Sequence, residues 1–307
     1  MRVFITGASG FIGSYLFREL INAGHEVLAL KRPTTNLFRV DDCKDKACWI
    51  EKSTEFEQEL LAFKPEIIYH LAWKGVAARE RVDWSIQESN IQMFQKLLDI
   101  AKECGTKRFV GVGSQAEYGA FESKIDETYP ANPNSAYGAV KYACLTVLKT
   151  FCEINGIDWY WFRVFPCFGP TEDEVWLIPS LIKSIYTQDH MDLTPGEQKL
   201  AYLYVGEVAR SIYSPIEDTQ SHSGVYNICS DNPVPLKTLV TSIKDMVNPS
   251  FKLNFGALQY RPGQCFYMEG DTTKLRNNLY AINTHTYNDK LRETVDYYIN
   301  KFSNGHK

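Results

Sequence analysis

A tyrosine and a lysine stand four residues apart in the stretch SAYGAVK, at Tyr137 and Lys141. On a helix this spacing puts both side chains on one face, about 5–6 Å apart at Cβ. A free phenol titrates near 10, too high to exchange a proton readily at neutral pH, and a nearby cation lowers that value. The spacing alone is uninformative, because it recurs at Tyr297 and Lys301 in YYINK. Context separates the two pairs. SAYGAVK follows RFVGVGS, an apolar strand ending in Ser114, whose hydroxyl can hold a reacting oxygen. YYINK has no such neighbour.

A second chemical signal lies at residues 6–13, TGASGFIG, between the apolar RVFIT and the helix-patterned FIGSYLFRELINAG. At a strand-to-helix junction, Gly7, Gly10 and Gly13 permit a tight turn and close backbone approach to a pyrophosphate, while the helix N-terminus supplies N–H donors. A dinucleotide cofactor is expected. The residue at the end of the second strand selects the nucleotide: an acid accepts from the ribose 2′-hydroxyl, and an arginine accommodates a 2′-phosphate. Here LALKRPTTN carries no acid. Lys31 and Arg32 therefore point to NADP(H).

The elements that must position these residues alternate. RVFIT, HEVLAL, CWIEK, EIIYHLAW, KRFVGVGS and DWYWFRV read as strands, separated by stretches with helical spacing of apolar residues. Such alternation argues for an α/β class: a Rossmann-type, doubly wound parallel sheet covered on both faces. Beyond about residue 165 the pattern loosens into turn-rich segments and shorter elements. The expected organisation is a cofactor domain over 1–165, rejoined by segments near 200–230, and a smaller C-terminal substrate-binding lobe over 166–307. No linker marks the boundary.

Composition agrees with a globular protein. A 307-residue chain that is 44% hydrophobic can bury a large core. A net charge of -4 supplies no basic stripe, so nucleic acid is not an expected partner. No apolar run suits a membrane span, and the chain enters a strand with MRVFITG, so a cytoplasmic protein is expected. Eight scattered cysteines and six histidines lack metal-ligand spacing, and no metal is expected.

Taken in order, TGASGFIG, IIYHLAW, Asn90 in ESNIQMFQKLL, Ser114 ahead of YG, the Tyr137 and Lys141 pair, and FRVFPCFGP resemble the extended short-chain dehydrogenase/reductase family. The resemblance implies that Ser114, Tyr137 and Lys141 are the catalytic triad. Lys141 would also bind the nicotinamide ribose. It places Gly7, Gly10, Phe11, Ile12 and Gly13, then Leu71 and Ala72, then Arg163 and Pro166, in cofactor-contacting stretches. Asn90 falls at a position that organises the site. Members mostly convert nucleotide-linked sugars, and many dimerise through a four-helix interface, here near 83–104 and 134–155.

Departures from the family pattern narrow the reaction. Sugar-nucleotide dehydratases follow the catalytic Ser or Thr with an Asp-Glu pair, where this chain has Gln115 and Ala116, with Glu117 displaced by one. Dehydration is thereby disfavoured. Lys31 and Arg32 favour a reductase that takes up NADPH over an epimerase that keeps NAD. Leu200 and Ala201 replace the Arg-Asp pair near the substrate diphosphate in many relatives, leaving Lys199 and Arg261 as candidate cations. Trp73, Gln115 and Trp176 are the other candidate substrate contacts; Tyr202 and Tyr260 are either stacking surfaces or core. The combination looks most like nucleotide-sugar 4-ketoreductases of the CDP-abequose or CDP-paratose synthase kind. The expected activity is NADPH-dependent reduction of a CDP- or dTDP-linked 4-keto-6-deoxy sugar, feeding a surface glycan. Its rivals are a 4-epimerase with bound NAD and a non-catalytic NADP(H)-sensing regulator.

Overall fold

The strands of the main sheet are apolar on both faces, which requires two covering layers. In β1 (Arg2–Thr6), Val3 and Ile5 face one layer and Phe4 the other, and all three are fully buried in the computed structural model. The structure describes residues 1–53, 55–260 and 264–304. β1 is joined by β2 (Glu26–Lys31), β3 (Cys48–Glu51), β4 (Ile67–His70), β5 (Arg108–Ser114), β6 (Asp158–Val164) and β7 (Gly224–Ile228). All pairings are parallel, and the order across the sheet is β7-β6-β5-β4-β1-β2-β3. This is the doubly wound class expected from the alternation of elements. The direction of winding reverses between β1 and β4, opening a crevice at their carboxyl ends.

One layer is built by α1 (Phe11–Asn22) and the later α6 (Val205–Tyr213), through Leu16, Phe17, Leu20, Val208 and Ile212. The opposite layer comes from α2 (Phe56–Phe63), α3 (Trp84–Cys104) and α4 (Ala136–Asn155). Both long helices have side-chain caps: Asp83 accepts from the Ile86 amide at 3.1 Å, and Ser135 from the Gly138 amide at 3.2 Å.

A separate core joins α5 (Leu177–Thr187) and α7 (Leu236–Val247) to the C-terminal helix Tyr287–Asn304, through Leu181, Leu239, Ile243, Leu291 and Val295. The two halves of the chain are interleaved: α6 and β7 lie on the main sheet, while Lys124–Ile125 pairs with Tyr267–Gly270 in a small sheet. Among the described residues, no helix is long and apolar enough to cross a membrane.

Candidate functional site

The crevice at the β1–β4 switch point is lined first by the glycine turn. A Cβ on Gly13 would lie 2.0 Å from the Gly7 carbonyl oxygen, so only glycine lets the first turn of α1 press against the loop. Helix α1, beginning at Phe11 and Ile12, has no side-chain cap and no acid in its first turn. Its free N–H groups and positive dipole end suit an anion. Across the switch point, the Leu71 amide donates to the Thr6 carbonyl at 3.1 Å and the Ala72 amide to the Thr6 hydroxyl at 3.2 Å. The ends of β1 and β4 are thus tied together beside the cradle. These residues fit a pyrophosphate-bearing dinucleotide.

At the end of β2, the cations have unequal surroundings. Lys31 stands opposite Glu51 in the parallel register, and its ammonium lies 2.9 Å from that carboxylate. Arg32 is exposed, and its amide donates to the Thr35 hydroxyl at 2.9 Å. The structure adds Lys52, whose amide donates to the Lys31 carbonyl at 2.8 Å. Burial, then repulsion from Lys74, Lys96 and Arg32, pushes the Lys52 ammonium below the usual lysine range.

On the other side of the crevice, β5 delivers Ser114 into a short 3-10 turn, Gln115–Glu117. The Ser114 hydroxyl accepts from the Ala116 amide at 3.2 Å, and the Ser114 amide donates to Glu117 at 2.8 Å. Glu117 is fully buried and also accepts from Trp161 Nε1 at 2.9 Å and Arg163 Nε at 2.8 Å. Its carboxylate braces Ser114 from behind. Arg163 is buried by the same pairing, with its guanidinium 4.1 Å from the Tyr118 ring centroid. Gln115 remains half-buried beside the serine.

Helix α4 brings Tyr137 and Lys141 to the same place, and both are buried. A Cβ on Gly138 would lie 2.3 Å from the Ala116 carbonyl, so this glycine sets how closely the tyrosine approaches the serine turn. The Lys141 ammonium donates to the Val112 carbonyl at 2.6 Å and lies 3.5 Å from the Trp73 ring centroid. Burial pulls its pKa down to about 7. Burial also raises the Tyr137 phenol, opposed by the Arg81 guanidinium and by a hydrogen bond with Ser114. In the chain itself burial outweighs these influences, and Lys141 is turned toward Val112 and Trp73.

The β4–α3 connection completes the site. Trp73 packs edge-to-face with Tyr137, ring centroids 6.2 Å apart, and its indole N–H donates to Gln87 at 2.9 Å. Gln87 is fully buried and donates to the Gly75 carbonyl at 2.8 Å. Asn90 accepts from the Lys74 amide at 2.8 Å and donates back to its carbonyl at 3.2 Å. Arg81 places its guanidinium 4.8 Å from the Tyr137 ring centroid and 5.6 Å from that of Trp176, which precedes α5.

Thus Ser114, Tyr137, Lys141, Trp73 and Trp176 converge. Pro166 sits beyond β6, its carbonyl accepting from the Leu203 amide at 2.9 Å. Lys199 is exposed in the small sheet, paired with Pro235 and Tyr267. Tyr202 is half-buried against the second-lobe core, and the Tyr260 hydroxyl accepts from the Glu197 amide at 3.1 Å. Arg261 lies outside the described residues. Sequence reasoning passed over Arg81, Gln87, Lys52 and Gly138. Of these, Gly138 inside a helical pattern was the one visible signal.

A glycine-turn cradle and a buried cluster of Ser114, Tyr137 and Lys141 stand at opposite lips of one switch point, an arrangement that fits an α/β enzyme of the oxidoreductase or epimerase type. The chain belongs to the NAD dependent epimerase/dehydratase family, whose model matches residues 3–229, and this bears out the resemblance seen in the motifs. It is 27% identical over 252 residues to dTDP-6-deoxy-L-talose 4-dehydrogenase (NAD(+)) of Aggregatibacter actinomycetemcomitans, covering 78% of this chain and 88% of that one. It is 23% identical over 303 residues to CDP-abequose synthase of Yersinia pseudotuberculosis, covering 98% and 100%. Among solved structures, UDP-N-acetylglucosamine 4-epimerase from Methanobrevibacter ruminantium M1 superposes with a TM-score of 0.88 at 25% identity, covering 98% of each chain.

Proposed function

We propose that this protein reduces the 4-keto group of a CDP- or dTDP-linked 4-keto-6-deoxy sugar with NADPH. The observation that carries this reading is the state of the turn after Ser114. Positions 115 and 116 hold no acid or base, and Glu117 is committed to Arg163, Trp161 and the Ser114 amide. Among the described residues of this turn there is then no free acid–base pair to remove a hydroxyl as water, and Tyr137 is the proposed proton donor. Resemblance to CDP-abequose synthase and to dTDP-6-deoxy-L-talose 4-dehydrogenase supports a reaction at the sugar 4-position.

The glycine turn, Leu71 and Ala72 would hold the cofactor, and Arg32 with Lys52 would receive its 2′-phosphate. When bound, the nicotinamide supplies the hydride. Ser114 orients the substrate carbonyl oxygen, and the Tyr137 phenol donates its proton there as the oxygen gains charge. Lys141 would bind the nicotinamide ribose. Trp176, Gln115, Lys199 and Arg261 are proposed substrate contacts. We extend the proposal to a homodimer through α3 and α4, which expose Ile91, Tyr142, Val147 and Ile154.

Purified protein given fresh CDP- or dTDP-4-keto-6-deoxyglucose should oxidise NADPH faster than NADH, and Tyr137→Phe should lower the rate at least about 100-fold. No NADPH consumption with either substrate would sink the reading. A second reading, 4-epimerisation with retained NAD, is favoured by the Lys31–Glu51 pair, which sets a carboxylate 2.9 Å from a cation at the end of β2. NAD released on denaturing the purified protein would support it.

A further inference from the structure

We propose that Arg81 is a positioning residue, holding a permanent positive charge over the Tyr137 ring and thereby setting the acidity of the phenol. The proposal rests on the reading of Tyr137 as proton donor. Among the described residues, Ser114 and three ionisable side chains face the phenol. Glu117, from the turn after β5, is paired at 2.8 Å with Arg163, and its remaining charge adds to the rise of the phenol. Lys141, one turn along α4, has its ammonium 5.9 Å from the ring centroid and engaged with the Val112 carbonyl and the Trp73 face. Arg81, from the β4–α3 connection, lies nearer, at 4.8 Å. Its Nε donates to the Val76 carbonyl at 2.8 Å, which anchors the guanidinium beside the ring.

The two cations differ in constancy. Lys141 is driven down to about 7, so its charge varies across the working pH range, whereas a guanidinium keeps its proton throughout. The Arg81 guanidinium is also the largest influence opposing the burial that raises the phenol. The loop that carries Arg81 is fixed at both ends: Asn90 grips Lys74, and Gln87 donates to the carbonyls of Gly75 and Glu80, the latter at 3.1 Å. Through its 5.6 Å contact with Trp176, the same guanidinium reaches the second lobe. A charge held this way can stabilise the phenolate whether or not Lys141 is protonated.

The test reads the phenol directly. Difluorotyrosine installed at position 137 brings the phenol into a pH range where the protein is folded, and fluorine NMR reports its titration. Arg81→Gln, which keeps a donor for Val76, should raise the midpoint by about one pH unit. Arg81→Lys should return it most of the way. An unchanged midpoint in Arg81→Gln overturns the proposal. So does a midpoint displaced equally in both variants, because the loop rather than the charge would then be responsible. The readout needs no turnover, so retained NADPH oxidation in Tyr137→Phe would count against the catalytic reading alone.

Discussion

Lys141 sits in surroundings far from those its residue type suggests. Its ammonium is buried, with one carbonyl and one indole face for company, and its pKa falls to about 7. An unfolded lysine titrates near 10.4. Between these values the unfolded chain binds more protons than the folded one, so stability rises with pH over that window. Urea unfolding of wild type and Lys141→Met should show it: the difference should move in favour of wild type as pH climbs from about 7 to 10, by up to about 1.4 kcal/mol per pH unit. Parallel profiles would mean that the lysine is not buried as a titrating group. The helical spacing of Tyr137 and Lys141 was legible in the sequence. The direction each pKa takes was not, because desolvation depends on packing from β4, β5 and the loop at 73–81.

At the scale of elements, the site depends on how closely α4 approaches the turn after β5. Alanine favours helix over glycine by about 1 kcal/mol, yet a methyl group at position 138 would meet the Ala116 carbonyl at 2.3 Å. Gly138→Ala should therefore destabilise the protein by about 1–3 kcal/mol and depress turnover while leaving cofactor binding nearly intact. Denaturant melts and cofactor titration check both halves; a more stable variant would show that the turn yields to the helix. Periodicity located the helices well: the sequence stretch WSIQESNIQMFQKLLDIAKEC is α3, and SAYGAVK opens α4. It said nothing of which turn α4 would touch, since Ala116 and Gly138 meet only after the intervening loop is folded.

For the whole molecule, α3 and α4 expose apolar side chains that a second copy could cover. Ile154 is 77% exposed, and Ile91, Tyr142 and Val147 accompany it on the same two helices. If this surface joins two copies, Ile154→Glu should convert a dimer into a monomer in light scattering, with the circular dichroism spectrum unchanged. A wild-type monomer at micromolar concentration would remove the proposal. The alternation of strand and helix, the glycine turn, and the order of Ser114, Tyr137 and Lys141 were determined by the sequence itself, because hydrophobic period and local turn chemistry act between near neighbours. Tertiary structure alone decided that Arg163 and Trp161 hold Glu117, that Glu51 claims Lys31, and that Arg81 reaches Tyr137. These are contacts between separate elements, and their energies depend on burial and distance, which no local spacing encodes.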